Sequence, residues 1–202
     1  MTTTSKQLRP GRQGLSRDEV RTHQRERIFL ALEDEMSAKG YPETSVADIV
    51  RSAGVSRQTF YELFASKQDC FLASYARRQG SVVAAIFETA ATDSPLERFA
   101  ALLHTYLSVM AANPPMSRLY LIGVYAAGPQ AVTIRLDLQQ QFVDGIAAVF
   151  DARTEQNLFA CRALVAAIST LVTNALLDDG PQALANLHQP LVAVARQLMP
   201  VG

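Results

Sequence analysis

Three consecutive polar side chains, Arg57, Gln58 and Thr59, follow a serine that is well placed to cap the N-terminus of a helix. Arginine can bond guanine and glutamine can bond adenine through two hydrogen bonds each, and threonine can bond a base edge or contact the thymine methyl group. Tyr61 lies one turn further on and is expected to face away from the apolar Phe60, as a side chain that contacts a phosphate would. These residue types indicate DNA recognition, although an exposed Arg-Gln-Thr is also typical of an ordinary solvated helix end.

The residues before these side chains follow the pattern of a helix-turn-helix. Ser45 begins a helix over residues 46–53, Gly54 fits the left-handed position after its end, and Ser56 begins the next helix. Two helices joined in this way can place the second one in the DNA major groove. The residues expected to hold the pair together are Val46, Ile49, Val50, Val55 and Phe60. The spacing alone fits a plain helical hairpin equally well.

Polar groups on both sides of the expected recognition helix are candidates for contacts to DNA phosphates. They are the hydroxyls of Thr44 and Ser45 and the amine of Lys67. Arg9 and Arg12 lie in a polar, basic tail over residues 1–16, which is either a minor-groove arm or a solubilising segment.

The segment YPETSVADIVRSAGVSRQTFYELFASKQDCFLASY resembles the N-terminal domain of the TetR family of bacterial transcriptional regulators. The shared features are the T-S-V-x-x-I opening, the A-G-V-S turn, the T-F-Y helix and the F-x-S-K-x-D entry to the following helix. The resemblance implies a homodimer that reads an inverted repeat in double-stranded DNA and acts as a repressor. It implies base contacts by Arg57, Gln58 and Thr59, and phosphate contacts by Thr44 or Ser45, Tyr61 and Lys67. Gln58 replaces the small residue often found before T-F-Y, which leaves the operator sequence open.

The composition predicts a globular, all-α protein. Of 202 residues, 49% are hydrophobic and 19% are charged, and no segment has the alternation of a strand. We expect about nine helices in three regions: a flexible basic tail (1–16), a three-helix helix-turn-helix domain (17–66) and a helical regulatory and dimerisation domain (67–202). The helices are expected at about 17–39, 46–53, 57–64, 67–89, 95–112, 116–126, 130–151, 155–177 and 182–199.

Charge and cysteine content favour a protein of the cytoplasm. The net charge is zero, with a small excess of basic residues in the first 78 positions and an equal acidic excess in the rest. The two cysteines, Cys70 and Cys161, are far apart, and the N-terminus has no signal peptide. The most apolar run, residues 159–177, contains Arg162 and several hydroxyl and amide side chains, so we interpret it as a buried helix.

Motifs of enzymes and of metal sites are missing from the sequence. It has no GxSxG, P-loop, GxGxxG or HExxH pattern, and its three histidines have no cysteine or carboxylate at ligand spacing. We therefore expect neither catalysis nor a cofactor nor a metal. The alternative to a DNA-binding regulator is a helical protein-interaction module without DNA binding.

The last two predicted helices carry apolar stripes that suit a four-helix bundle between two subunits. The expected interface residues are Leu158, Val165, Val172, Leu184, Leu187, Leu191 and Val194. The pattern alone fits equally well if both stripes are buried inside one subunit.

The middle helices carry aromatic and apolar residues that can line a site for a small apolar or weakly polar ligand. The candidates are Leu103, Tyr106, Met110, Tyr120, Tyr125, Phe142 and Asn174. The tyrosines are the stronger candidates because a buried hydroxyl needs a hydrogen-bond partner, which a ligand can supply. Aromatic residues at helical spacing are, however, commonly plain core.

Overall fold

A computed structural model describes residues 16–87, 94–177 and 181–199. All the regular structure in these ranges is helical, which confirms the predicted fold class. The basic tail with Arg9 and Arg12 lies outside the described residues. The helices are α1 (Arg17–Glu43), α2 (Val46–Ala53), α3 (Arg57–Leu63), α4 (Lys67–Phe87), α5 (Pro95–Ala112), α6 (Pro114–Leu121), a 3-10 helix (Gly123–Ala127), α7 (Pro129–Val149), α8 (Glu155–Leu177), α9 (Pro181–Asn186) and α10 (His188–Leu198).

Local capping fixes the first helices where the sequence predicts them. Ser16 and Ser45 each form a capping box with the carboxylate three residues later, and Ser56 accepts a hydrogen bond from the Thr59 amide. Gly40 interrupts α1 with a φ of 84°, so the regular part of this helix ends at Lys39 as expected. Gly54 has a φ of 62° and a ψ of 40°, the left-handed conformation that the turn requires.

Two later helices differ from the predicted bounds. The expected helix over residues 116–126 starts at Pro114, because Asn113 caps it and prolines fit a first turn, and it passes into the 3-10 helix after Leu121. The expected helix over residues 182–199 is divided at Leu187 into α9 and α10. Pro190 accounts for the division, because its ring has no N–H and would clash with the carbonyl four residues earlier in a continuous helix.

The apolar side chains form a core under the helix-turn-helix and a second core among the later helices. The first core joins α1–α4 to residues of α6, the 3-10 helix and α7, such as Tyr120, Val124 and Ala131. The second core joins α5, α8, α9 and α10. Among the described residues, α8 alone is long and apolar enough to cross a membrane. One side of it packs into this core, but only 33% of its apolar window is buried, so the expected buried helix is buried on one side only.

Candidate functional site

The helix-turn-helix is held together by the apolar residues that the sequence predicts. Ile49, Val50 and Phe60 are buried, and Val46 and Val55 pack against the same core. Arg27 of α1 donates a hydrogen bond from Nη2 to the Gly54 carbonyl oxygen at 3.0 Å, which ties the turn to the first helix. The arrangement gives α3 a fixed inner side and an outer side made of polar residues.

The three predicted base-reading residues lie at the N-terminal end of α3. Arg57 and Gln58 are exposed, and Thr59 is half-buried. Gln58 donates to the Glu62 carboxylate at 2.9 Å, and the Thr59 hydroxyl is 2.9 Å from that of Ser56. Gln58 therefore has to leave Glu62 in order to bond a base, whereas Arg57 is already free to extend.

Tyr61 takes the orientation that the sequence predicts. Its side chain is 49% exposed, and its ring meets the buried Phe60 ring edge-on at 5.4 Å between centroids. Packing of one side of the ring on Phe60 fixes the direction of the hydroxyl, which points away from the core. A tyrosine held in this way can donate to a phosphate oxygen beside the recognition helix.

Of the two predicted hydroxyls before α2, the structure exposes one and buries the other. Ser45 is exposed and caps α2, where its hydroxyl donates to Asp48 at 2.7 Å. Bonds from Ser45 and the cations of Lys39 and Arg51 hold the pKa of the Asp48 carboxyl well below its usual range. Thr44 is only 1% exposed, and its hydroxyl donates to the Gly40 carbonyl at 2.8 Å. The Thr44 side chain is therefore placed in a positioning role, because it is buried as well as bonded within the protein, whereas the exposed Ser45 hydroxyl can reach a phosphate if it leaves Asp48.

Lys67 is used to hold the corner between α1 and α2. Its ammonium donates to the carbonyl oxygens of Tyr41 at 2.8 Å and Thr44 at 2.7 Å, and it lies 4.2 Å from the centre of the Tyr41 ring. Partial burial lowers the pKa of Lys67. Two of the three ammonium protons are thus bonded within the protein, so Lys67 has a structural role, and its predicted contact with a phosphate stays a prediction.

A cavity of about 330 Å³ lies among α4, α5, α6, α7 and α8. Its wall is mostly apolar, and its volume falls at the lower end of the range of small-molecule sites. Five of the seven predicted ligand residues line it, namely Leu103, Tyr106, Met110, Tyr120 and Phe142.

The other two predicted ligand residues lie outside the cavity. Tyr125 is 59% exposed, and its hydroxyl accepts a hydrogen bond from Nε of Arg135 at 3.2 Å. Asn174 is exposed on the outer side of α8. The prediction that these two residues line the ligand site is therefore corrected. The 3-10 helix turns the Tyr125 side chain outward, and Asn174 lies on the side of α8 that faces away from the cavity.

The sequence interpretation missed the polar groups of the cavity. Arg135 and Gln139 of α7 and Ser169 of α8 line it, and so does Arg78 of α4. Arg135 is only 5% exposed, and its Nη2 donates to the Ser169 hydroxyl at 2.9 Å. A signal for it was present, because Arg135 continues the apolar stripe of Ala131, Leu138 and Phe142 at helical spacing.

A buried carboxylate connects the cavity wall to the DNA-binding domain. Glu33 of α1 is 0% exposed and accepts hydrogen bonds from Ser74 at 2.9 Å, from Tyr120 at 3.0 Å and from Arg78. Burial and the Glu33 carboxylate raise the pKa of the Tyr120 phenol, which therefore stays a donor. We call these four residues the Glu33 network. Since Tyr120 and Arg78 also line the cavity, a movement of either side chain would alter the hydrogen bonds that hold Glu33 of α1.

Comparison with known families identifies the N-terminal domain. Residues 28–74 match the family model described as bacterial regulatory proteins of the tetR family. The matched span runs from the last part of α1 to the first part of α4 and contains the complete helix-turn-helix. The N-terminal domain of this chain is therefore similar to that of the TetR family. The match supports a DNA-binding transcriptional regulator rather than the helical interaction module that the sequence left open.

Solved structures extend the likeness beyond the matched domain. FadR, the fatty acid degradation regulator of Bacillus halodurans, superposes with a TM-score of 0.74 at 18% identity, over 88% of this chain and 95% of that one. FadR of Bacillus subtilis in complex with stearoyl-CoA gives 0.70 at 17% identity, over 87% and 97%. A TetR transcriptional regulator of Rhodococcus sp. RHA1 gives 0.65 at 17% identity, over 90% and 98%. These likenesses show a shared fold, and no curated protein sequence matches the chain.

Most of the predicted interface residues are buried or partly buried within the single chain. Val165, Val172, Leu184 and Leu191 are buried inside the subunit, and Leu158 and Leu187 are partly buried against its own cores. The physical reason is that α9 and α10 pack on α5 while α8 packs on α6, α7, α9 and α10, which uses their most apolar stripes. Only Val194, which is 38% exposed, faces outward.

A different stripe of α8 is exposed and suits contact with a second subunit. It follows helical spacing one residue away from the predicted stripe and consists of Phe159, Ala163, Ala166, Thr170, Asn174 and Leu177. On the neighbouring α10 the exposed residues Pro190, Ala193, Val194 and Leu198 continue the apolar character, with the polar Gln197 among them. We call these residues the α8–α10 face. Small residues at its centre allow another helix to approach closely.

Proposed function

We propose that this chain is a homodimeric repressor of the TetR family that leaves an inverted-repeat operator when a small apolar or weakly polar ligand enters the cavity. The observation that carries the proposal is that one buried network, built on Glu33, joins α1 of the DNA-binding part to the cavity wall. The proposed site of action is the cytoplasm, and the proposed division between DNA-binding and regulatory parts lies at residues 66 and 67.

The proposed operator contacts follow from exposure and chemistry. Arg57, Gln58 and Thr59 approach base edges in the major groove, and Ser45 and Tyr61 contact the phosphates. Lys67 and Thr44 position the corner before α2. Two recognition helices must lie about 34–36 Å apart to enter successive major grooves, which requires a dimer.

The proposed dimer forms through the α8–α10 face. Two such faces packed together give a four-helix bundle, the arrangement that buries exposed Phe159 and Leu177 from each subunit. The bundle would then set the distance between the two recognition helices.

The proposed release mechanism acts through α4 and α6. A ligand that displaces Tyr120 or Arg78 changes the bonds that hold Glu33, and with them the position of α1 relative to the regulatory helices. The ligand shifts the equilibrium only by the difference between its affinities for the two conformations. The stearoyl-CoA complex of B. subtilis FadR supports an elongated apolar ligand for this fold.

Deletion of the gene, followed by measurement of the transcripts of adjoining genes, tests the repressor proposal. Transcripts should rise in the deletion strain and return to their basal level when the wild-type chain is restored. Restoring an Arg57→Ala variant should leave them high. A fall in transcripts on deletion would contradict repression and indicate an activator.

A further inference from the structure

The cavity contains a buried cation that has no counter-ion within the part of the chain that the structure describes. The Arg135 guanidinium is bonded to the Tyr125 hydroxyl at 3.2 Å and to the Ser169 hydroxyl at 2.9 Å, and both partners are neutral. No Asp or Glu lines the cavity among the described residues. A buried charge is costly unless it is paired, so this site favours an anion.

The second arginine of the cavity wall, unlike Arg135, has a counter-ion among the described residues. Arg78 also lines the cavity, but it forms an ion pair with the buried Glu33 carboxylate. Its charge is therefore balanced inside the protein, and an incoming anion gains little from it. The comparison singles out Arg135 as the unbalanced group.

The neutral groups around Arg135 add hydrogen-bond donors but few free acceptors. Ser169 Oγ accepts from both Arg135 and Gln139, which leaves its own proton available. The Tyr75 hydroxyl is buried near Arg135 without a hydrogen bond of normal geometry. Desolvation raises the pKa of the nearby Tyr106 phenol to about 12, so this phenol also remains a donor. The cluster is thus suited to oxygen atoms that accept several hydrogen bonds.

Most of the rest of the cavity is apolar, although Gln79, Asn113 and Ser117 also line it. Phe99, Leu103, Met110, Phe142 and Ile146 form its walls, and none of them can bond a polar group on the ligand. A ligand that pairs with Arg135 and also fills the apolar part of the cavity must therefore carry a negative charge at one end and hydrocarbon over the remainder.

We propose that the ligand is an apolar monocarboxylic acid whose carboxylate binds Arg135 and whose hydrocarbon part fills the cavity. The carboxylate takes two hydrogen bonds from the guanidinium in the geometry that arginine favours, with further donors from Ser169 and its neighbours. The inference rests on the proposed function only in taking the cavity as the ligand site. A thioester of the same acid lacks the carboxylate and would not satisfy Arg135.

The test measures binding of straight-chain carboxylates from octanoate to palmitate to the full-length wild-type chain by calorimetry, with the matched alcohols and decanoyl-CoA as comparison ligands. The tightest-binding acid should exceed its alcohol by at least about tenfold in affinity, as expected for charge-assisted hydrogen bonds. Arg135→Gln should remove this advantage and leave the affinity for the alcohol unchanged. Arg98→Gln, which removes an exposed arginine of α5, should change neither affinity.

Several results would overturn the inference. The first is that no acid binds, and the second is that acid and alcohol bind with equal affinity. The third is that Arg135→Gln weakens the binding of acid and alcohol equally. The fourth is that decanoyl-CoA alone binds and that Arg135→Gln does not change its affinity. A parallel measurement of operator release separates the two proposals. An acid that binds through Arg135 but leaves operator affinity unchanged upholds the ligand class and contradicts the proposed release mechanism.

Discussion

At the scale of single residues, the side chains on the outer side of α3 have two different proposed roles in DNA binding: base recognition and phosphate contact. Arg57 is exposed at the N-terminal end of α3, where we propose that it reads bases, whereas the ring of Tyr61 packs on Phe60 and leaves its hydroxyl for a proposed phosphate contact. A guanidinium reads guanine through two bonds, and a phenol bonds a phosphate regardless of sequence. Substitutions at the two positions should therefore change specificity and affinity differently.

Arg57→Ala should weaken binding to the operator by about 1–3 kcal/mol and relax the preference at one base pair of each half-site, because a base contact is lost. Binding titrations against the operator and its single-base variants measure both effects. Arg98→Ala is the matched control, since it removes a similar exposed charge from the regulatory part. An equal loss on every sequence would show that Arg57 contacts only the backbone.

Lys67→Met should lower the free energy of unfolding by about 1–3 kcal/mol, because the carbonyls of Tyr41 and Thr44 lose a charged donor. Chemical denaturation of the free protein measures the change. If the variant keeps its full stability but loses operator affinity with a shallower salt dependence, Lys67 is a phosphate clamp and its positioning role is wrong.

At the scale of elements, α1 belongs to the DNA-binding domain and also to the packing of the regulatory helices. Its buried Glu33 meets α4 and α6, and the first core includes Tyr120 and Val124. The helix-turn-helix is therefore attached to the cavity wall by polar and apolar contacts together. A rigid attachment of this kind is what a ligand-controlled regulator requires.

Glu33→Gln should lower the free energy of unfolding by about 2 kcal/mol, because Arg78 and Tyr120 lose a charged acceptor at a buried position. It should also reduce the effect of ligand on operator affinity. Glu26→Gln is the control on the same helix, since Glu26 pairs with Arg77 at a half-exposed site. Unchanged coupling between ligand and operator in Glu33→Gln would exclude the network from the release mechanism.

Local sequence signals were sufficient for most elements. Caps at Ser16, Ser45 and Ser56 and the glycine at 54 act within a few residues, so the helix-turn-helix and its core could be predicted. The division between α9 and α10 was missed, although Pro190 is a sufficient cause.

Features that depend on the relative placement of distant helices could not be predicted in the same way. Periodicity shows that α8 has apolar stripes, but it does not show which stripe faces the core and which stays exposed. The predicted interface was therefore placed on Val165 and Val172, which the structure buries. Arg135 and Glu33 each occupy a position on an apolar stripe, and a charged residue at such a position is the signal that was overlooked.

At the scale of the whole molecule, the proposed binding to an inverted repeat requires two subunits. Ala166 lies at the centre of the α8–α10 face and is exposed in the single chain. Ala166→Glu should convert the dimer to monomers at micromolar concentration, because it would bury a charge without a partner between the subunits. Sedimentation measures the mass. Ala148→Glu makes the same change at an exposed position of α7 and should leave the dimer intact; dissociation by both variants, or by neither, would place the interface elsewhere.

Operator binding by α3 is tested by a DNase footprint of the purified chain on the DNA that flanks its own gene, at two salt concentrations and beside Arg57→Ala. We predict a protected inverted repeat with affinity that falls steeply as salt rises, and loss of the protection in the variant. Absence of protection by the wild-type chain, together with failure to enrich any repeat from random-sequence DNA, would contradict the assignment of α3 as a recognition helix.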